Sequence, residues 1–596
     1  MSVSNAVKSG GLTSNDAFIN DVAARYLVPS VLAMLGSRLS TLANGLVLGR
    51  VLGAPGLSCL SLVGPVSLFY LSLGALIGMG ASIVSGFALG RGDRERCDRI
   101  YTLSYILSGA AGLPLLVGGV TAADAIAEAL GAGDDIFLLT RDFIRVAAVG
   151  GVFTVLMYTP LNYLRLCGKP NHAMGMLLIM SFANMGFSAF FVLIVGMRTT
   201  GVALGGALGA LAALAFGLYH LSGDRSGLHF RAGKFPAADL RTVLAFGSAP
   251  ALNNICRAGQ YFLINLLLLR VAPAALPAYY VVCAVQEAPL ALILGFAQIL
   301  SPLLSVAFGE RDGRSIRKIV KKIFLPGTLL LGAGALGLFL LRRRVGFWFG
   351  LPDDPAAAEV STGLVFLALS LNISFFNNMA ANYFNATKRP AVANIVAVCR
   401  LLVFMVGPAY LLAGKLSVTA VWLSLLVAEL STAAVLALTL TVLRARDGAL
   451  SPFWLLDPSF TAGENTIDFS VLNTNEAASM AAERIVDFCA VAGASDRQSM
   501  CLSLALEEML VLINEHALDR RQEKFTDVRV TVTSRQLTLR LRYAGAPFNP
   551  LRYAGTAAAG LPPEEDETIG VRMIRQMAAA VEYRQVFGMN NLLIVI

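Results

Sequence analysis

A chain of 596 residues that is 56% hydrophobic and only 14% charged cannot face water on every side, because soluble domains run near about 25% charged. Its charge is divided as well: from Asp457 onward stand 13 Lys/Arg and 18 Asp/Glu, a net of −5, against a net of +14 before it. A basic, apolar body with an acidic tail describes two parts made for different solvents, and membrane topology accounts for the basic excess without nucleic acid as a partner. Eight cysteines without Cys-x-x-Cys or metal spacing read as small buried hydrophobes, with no case for disulfides or zinc.

The first 25 residues are polar and mixed in charge, a cytoplasmic lead-in with no signal peptide. Crossing about 30 Å of hydrocarbon takes about 20 apolar helical residues. About twelve stretches qualify, near 27–50, 58–86, 101–123, 139–163, 171–196, 200–221, 244–270, 277–306, 319–341, 358–385, 391–413 and 416–443. The stretch 122–135 reads as a loop or a half-buried helix. This gives an N-lobe at 26–222, a cytoplasmic linker at 223–243, a C-lobe at 244–445, a second linker at 446–460 and a soluble domain at 461–596. Lys and Arg gather in alternate loops, including Arg91, Arg94, Arg96, Arg99, Arg311, Arg314, Arg317 and Lys318. That bias places those loops and both termini inside. The expected location is therefore a bacterial cytoplasmic membrane.

The chain also repeats itself. Gly90 and Asp93 with Ile100 correspond to Gly309 and Asp312 with Ile319, at an offset of 219. Asn162, Tyr163, Pro170 and Ala173 correspond to Asn382, Tyr383, Pro390 and Ala393, at an offset of 220. Six spans per repeat give two parallel halves, a plan that puts substrate and coupling ions near the midplane between them.

Charges inside the spans are costly and mark function or pairing. The candidates are Arg38, Arg257, Glu287, Arg400 and Glu429. Glu287 is the sole charge between Arg270 and Glu310. It reads either as a carboxylate that carries a coupling proton or as a structural partner of Arg257 or Arg400. Amides at Asn253, Asn254, Gln260, Asn265, Asn372, Asn377 and Asn378 line a polar cavity or bond helix to helix.

The Gly-x-x-Asp turn after the second span of each half and the Lys/Arg-Pro turn after the fourth resemble the MATE (multidrug and toxic compound extrusion) family. Asn184, Pro302, Arg400, Ala428 and Glu429 add to the likeness, which covers about residues 20–445. The resemblance implies efflux of organic cations and drugs by alternating access, in exchange for H+ or Na+. It also implies an acid in the first span and another in the fifth, where this chain has Asn44 and Ser188. Neither carries a proton. Two other readings stay open: a lipid-linked saccharide flippase of the same superfamily, and a membrane-anchored sensor whose tail binds a regulatory protein.

The tail reads as α+β, with strands at 466–471, 528–533, 537–543, 581–586 and 592–596 and helices at 475–492, 497–517 and 569–580. With Leu506-Glu507-Glu508 and the run Tyr543-Ala-Gly545-Ala-Pro547-Phe548-Asn549-Pro550, it resembles the anti-sigma-factor serine kinase branch of the histidine-kinase-like ATPases. That resemblance implies an Asn four residues after Glu508 to hold magnesium, an Asp to read adenine and a glycine-rich lid. Here stand Leu512, Tyr543 and a lid reduced to Gly570. The expectation is no ATP hydrolysis, no resident cofactor or metal, and a regulatory tail that gates the transporter or docks a protein partner.

Overall fold

The computed structural model describes residues 12–13, 16–90, 93–167, 169–222, 228–231, 236–309, 312–351, 355–451, 454–457, 460, 465–518, 523–533, 536–545, 548–550, 569–586 and 589–596. The chain divides into two compact units. One holds residues 30–297 and 326–441, and the other holds 1–29, 298–325 and 442–596.

The larger unit is a helical bundle. Its first half runs through α1 (Asp16–Leu52), α2 (Ala54–Gly74), a π-helical turn (Ala75–Met79) and α3 (Gly80–Gly90). It continues through α4 (Arg94–Thr121), α5 (Ala123–Ala129), α6 (Asp134–Leu166), α7 (Pro170–Ala189) and α8 (Thr199–Leu221). The second half holds α9 (Ala237–Val271), α10 (Leu276–Gly309), α11 (Gly313–Trp348), α12 (Ala356–Ala386), α13 (Pro390–Val398), α14 (Phe404–Leu416) and α15 (Thr419–Arg446). Among the described residues, ten helical stretches are long and apolar enough to cross a membrane. The spans read near 27–50 and 244–270 fall on α1 and α9, of 37 and 35 residues, and these helices carry Arg38 with Asn44 and Arg257 with Asn265. The segment after residue 121 is the short helix α5.

The repeat has a local physical logic. Asp93 caps α4 by accepting from the Arg96 amide at 3.0 Å, and Asp312 caps α11 by accepting from the Ser315 amide at 2.9 Å. Pro170 and Pro390 begin α7 and α13, where the ring's fixed φ suits the first helical position. One buried cluster joins the halves, with Leu57 and Leu62 from α2 packed in common with Val281 of α10 and Trp422 of α15.

The halves approach most closely where α2, the π-helical turn and α3 meet α9. Ser61 and Asn265 exchange hydrogen bonds of 2.9 and 2.8 Å there. Further along, a Cβ on Gly247 would collide with the Leu76 carbonyl, and one on Gly80 with the Val243 carbonyl. Small residues let membrane helices touch backbone to backbone.

The smaller unit holds a six-stranded sheet in the order β1-β2-β3-β4-β6-β5, with each adjacent pair antiparallel. Its strands are β1 (Leu12–Thr13), β2 (Thr466–Leu472), β3 (Phe525–Val532), β4 (Leu537–Tyr543), β5 (Ala580–Val586) and β6 (Met589–Val595). The lead-in therefore does more than precede the first span: Leu12 pairs with Val471 and Thr13 with Ser470. Two residues without period-2 patterning gave no strand signal. Helices α16 (Asn475–Val491) and α17 (Asp496–His516) supply the core, with α18 (Ile569–Met577) beside them. Ser495 opens α17 with a reciprocal capping box to Gln498.

The sheet has two unlike faces. Phe469, Val528, Val530, Leu539, Leu541, Leu592 and Ile594 point one way and are buried. Asp468, Asp527, Arg529, Arg540 and Arg542 alternate with them and share the other.

Replacing Gly247 by Val should cost about 1–3 kcal/mol, as expected for forced overpacking. The measurement is thermal unfolding of the purified protein in detergent. An unchanged midpoint would mean that this helix contact is not tight.

Candidate functional site

At mid-depth in the bundle, Glu287 of α10 is held by two arginines. Arg257 Nη2 of α9 donates to its Oε1 at 2.5 Å, and Arg38 Nη1 of α1 donates to its Oε2 at 2.7 Å. Of the two partners expected from sequence, Arg257 is present. Arg400 is not; it faces Glu429 at 4.0 Å. The partner that sequence reasoning missed is Arg38, whose signal was its isolation in an otherwise uncharged span. Since α1 belongs to the first half and α9 and α10 to the second, one carboxylate ties the halves together.

The other candidates form separate pairs. Asn44 donates to the Asn184 side-chain oxygen at 3.3 Å, and Ser188 Oγ donates to the same oxygen at 3.0 Å. The positions where the family resemblance implies acids are thus joined by neutral hydrogen bonds. Asn265 bonds Ser61, as described above. Glu429 receives Asn377 Nδ2 on its carboxylate at 2.7 Å and on its backbone oxygen at 2.9 Å. Arg400 lies in a π-helical turn, Cys399–Val403, a local break that recurs at functional places.

A second cluster belongs to the unit that contains the sheet. Asp312, at the turn between α10 and α11, is fully buried and meets three arginines of the charged sheet face. Arg529 Nη2 lies 2.5 Å from its Oδ1, and Arg540 Nη1 and Arg542 Nη2 lie 3.4 and 3.7 Å from its Oδ2. Asp527 takes Arg540 at 3.0 Å and Arg542 at 2.6 Å, while Asp468 takes Arg529 at 2.5 Å. The register makes this a ladder, with Asp527 opposite Arg542, Arg529 opposite Arg540, and Asp468 opposite Arg529. Three carboxylates balance three guanidiniums. Burial opposes ionisation of Asp312, but Arg540, Arg529 and Arg542 overcome it and hold the carboxyl well below the usual carboxylate range. Packing completes the turn: a Cβ on Gly313 would collide with the Phe460 carbonyl, and the Phe308 and Phe460 rings lie 4.9 Å apart.

The nucleotide-site positions are closed on themselves. Leu512 is buried in the tail's core, two residues from buried Asn514. Burial and the neighbouring Glu507 push the Glu508 carboxyl above its ordinary value. Tyr543 is fully buried and its hydroxyl donates to the Phe548 carbonyl at 2.8 Å. Gly545 lies where a Cβ would strike the Ala517 carbonyl at the end of α17. Gly570 is the second residue of α18. Pro547 and the lid segment 551–568 lie outside the described residues.

Two repeated halves of long apolar helices, with ion pairs at mid-depth, define a multi-pass membrane transporter carrying a small α+β domain. The MatE family model matches residues 29–190 and 250–411, and the chain belongs to that family. The two matches start 221 residues apart, in line with the internal repeat. The histidine kinase-like ATPase domain model matches residues 471–596. Multidrug export protein MepA of Staphylococcus aureus (strain MRSA252) is 23% identical over 429 residues, covering 71% of this chain and 93% of that protein. Its counterpart in Staphylococcus haemolyticus is 22% identical over 404 residues, covering 66% and 88%.

Among solved structures, an inward-facing multidrug resistance MATE transporter of the MOP superfamily aligns with a TM-score of 0.63 at 20% identity, over 69% of this chain and 96% of its own. A MOP transporter from Pyrococcus furiosus, described as having a binding pocket of reversed polarity, aligns with a TM-score of 0.60 at 20% identity, over 73% and 98%. At this identity the likeness shows the fold.

Removing one member of a buried ion cluster leaves the others uncompensated, at a cost of about 3–5 kcal/mol. Asp312→Asn should therefore loosen the turn from the sheet, seen as faster proteolysis between residues 446 and 465. The pH dependence follows from the sign. Asp312 titrates lower when docked than when free, so its contribution is complete above its free value near 3.8 and is lost only as pH falls through the docked value. Protease resistance should be flat from about pH 5 to 8 and fall in stronger acid; a loss near neutrality would contradict the cluster.

Proposed function

We propose that the chain is a secondary-active exporter of small amphiphilic molecules that works by alternating access, with the tail as its regulator. The observation that carries the transport reading is the Arg38–Glu287–Arg257 triad, a charged link across the two repeats at the depth where such architectures hold their cargo. In this reading Glu287 is a pin that forms in one state and opens in the other. A carboxylate shared by two guanidiniums is a poor proton carrier, since its neutral form would leave both arginines without a partner. Of the two coupling ions the family resemblance implies, Na+ suits this chain better. The oxygens of Asn44, Asn184 and Ser188 can ligate a hard cation but cannot titrate.

The regulatory reading of the tail is supported by Asp312. The tail's arginines grip the residue that caps α11, so any change in the sheet is felt at a transport helix. The closed Tyr543 turn and the Leu512 substitution support a domain that has exchanged nucleotide chemistry for docking. The membrane is a bacterial cytoplasmic membrane, with both termini on its inner side; the pairing of β1 with β2 supports a common side for the two ends.

Two measurements test this. In vesicles loaded with a fluorescent amphiphile, Glu287→Gln should slow export while leaving the shape of its dependence on external pH unchanged. Disappearance of the pH dependence would instead make Glu287 the proton carrier. Calorimetry of the full chain with MgATP should show no micromolar binding, and a micromolar isotherm would overturn the closed-site reading of the tail.

A further inference from the structure

The arginines around Glu287 outnumber the carboxylate, and no other group within the spans makes up the difference. The charged side chains at mid-depth are Arg38, Arg257 and Arg400 against Glu287 and Glu429, a net of +1. Arg400 and Glu429 answer one another across 4.0 Å, so the excess belongs to the Glu287 cluster. Within it, Arg257 and Glu287 are the more enclosed, with side chains 19% and 8% exposed, while the Arg38 side chain is 34% exposed. Arg38 commits only Nη1 to the carboxylate. Its remaining donors have no partner among the described residues. The first-half positions where the family resemblance implies acids are Asn44 and Ser188, bonded to Asn184 and neutral.

An uncompensated cation at mid-membrane is strongly unfavourable, and hydrocarbon supplies no counter-charge. What does compensate a guanidinium is a carboxylate or phosphate, whose oxygens match its fork of N–H donors. An organic cation would meet two arginines and no free acid. We infer that Arg38, backed by Arg257, binds the carboxylate or phosphate group of an anionic amphiphile. That this anion is cargo rests on the transport reading above; the anion site itself stands on the charge count and the geometry.

The test uses the full chain in nanodiscs of zwitterionic phosphatidylcholine, with a dansyl-labelled fatty carboxylate and a dansyl-labelled quaternary ammonium of equal chain length. The carboxylate should bind the more tightly. Arg38→Gln should weaken it by about tenfold or more, the scale of one charge-assisted hydrogen bond. Glu287→Gln should strengthen it, a change that a merely damaged site would not give. Tighter binding of the ammonium probe to the unaltered chain, or carboxylate affinity indifferent to Arg38→Gln, overturns the proposal. Adding phosphatidylglycerol to the nanodiscs separates the sources: displacement of the probe names a lipid headgroup, and no displacement names a soluble amphiphile. Each agrees with an anion site. Binding without export in vesicles would remove the transport reading and leave the site.

Discussion

A carboxylate and two guanidiniums within hydrocarbon can persist only in contact, and the architecture of the bundle is arranged around that requirement. Glu287 is one residue, yet it joins α1 to α9 and α10, and so joins one repeat to the other. The rest of the contact between halves is built to let those helices approach: Gly80 and Gly247 bring backbone against backbone, and Ser61 and Asn265 satisfy each other. An ion cluster of this kind is weak as a stabiliser, because desolvation offsets most of the attraction, but breaking it is expensive. Such a contact specifies an arrangement more than it strengthens one. That is what a protein needs if its two halves must meet in a defined register and still part.

The same physics recurs at Asp312 with a different outcome. The repeat provides an internal control, since Asp93 and Asp312 occupy equivalent turns and each caps the helix that follows. Asp93 carries only the cap. Asp312 carries the cap and three arginines from β3 and β4. The duplicated ancestor's turn has thus acquired a second use in one copy only, and the tail's sheet has acquired a charged face to match. A sheet face bearing three arginines and two aspartates would ordinarily stay in water. Here its buried charge is complete only when the third carboxylate comes from the α10–α11 turn.

Much of this was legible in the sequence, and the parts that were not share a cause. Hydrophobic runs, the Lys/Arg bias and the repeated Gly-x-x-Asp turn gave the helical plan and its duplication, because each is a local pattern with one physical reading. The tail's strands were legible for the same reason: Val528, Val530, Leu539 and Leu541 alternate with charges. The alternation told which residues face the core, but not what the charged face meets. The partner of Arg540 is 228 residues away, and no local signal announces it. Glu287 shows the same limit. Its isolation marked it as paired, and one partner, Arg257, was named correctly. The other choice fell on Arg400, because span charges were compared without knowing which helices adjoin. β1 went unread because two residues are too few to show a period.

The charge of the mid-membrane site and the missing acids have one explanation when taken together. An exporter that expels a cation works against an inside-negative membrane potential, at about 2.3 kcal/mol per elementary charge for each 100 mV. It therefore needs an acid that exchanges the cargo for an inward-moving ion. For an anion the sign reverses, and the same potential drives the cargo out. A transporter of anions then has no use for titrating acids in its first half, and replacing them by Asn44 and Ser188 costs it nothing in driving force. It does need a fixed positive charge at the depth where cargo leaves water, and Arg38 supplies that charge next to the one ion pair that both halves share. Loss of the acids and gain of the arginine are in this view two sides of one change in polarity.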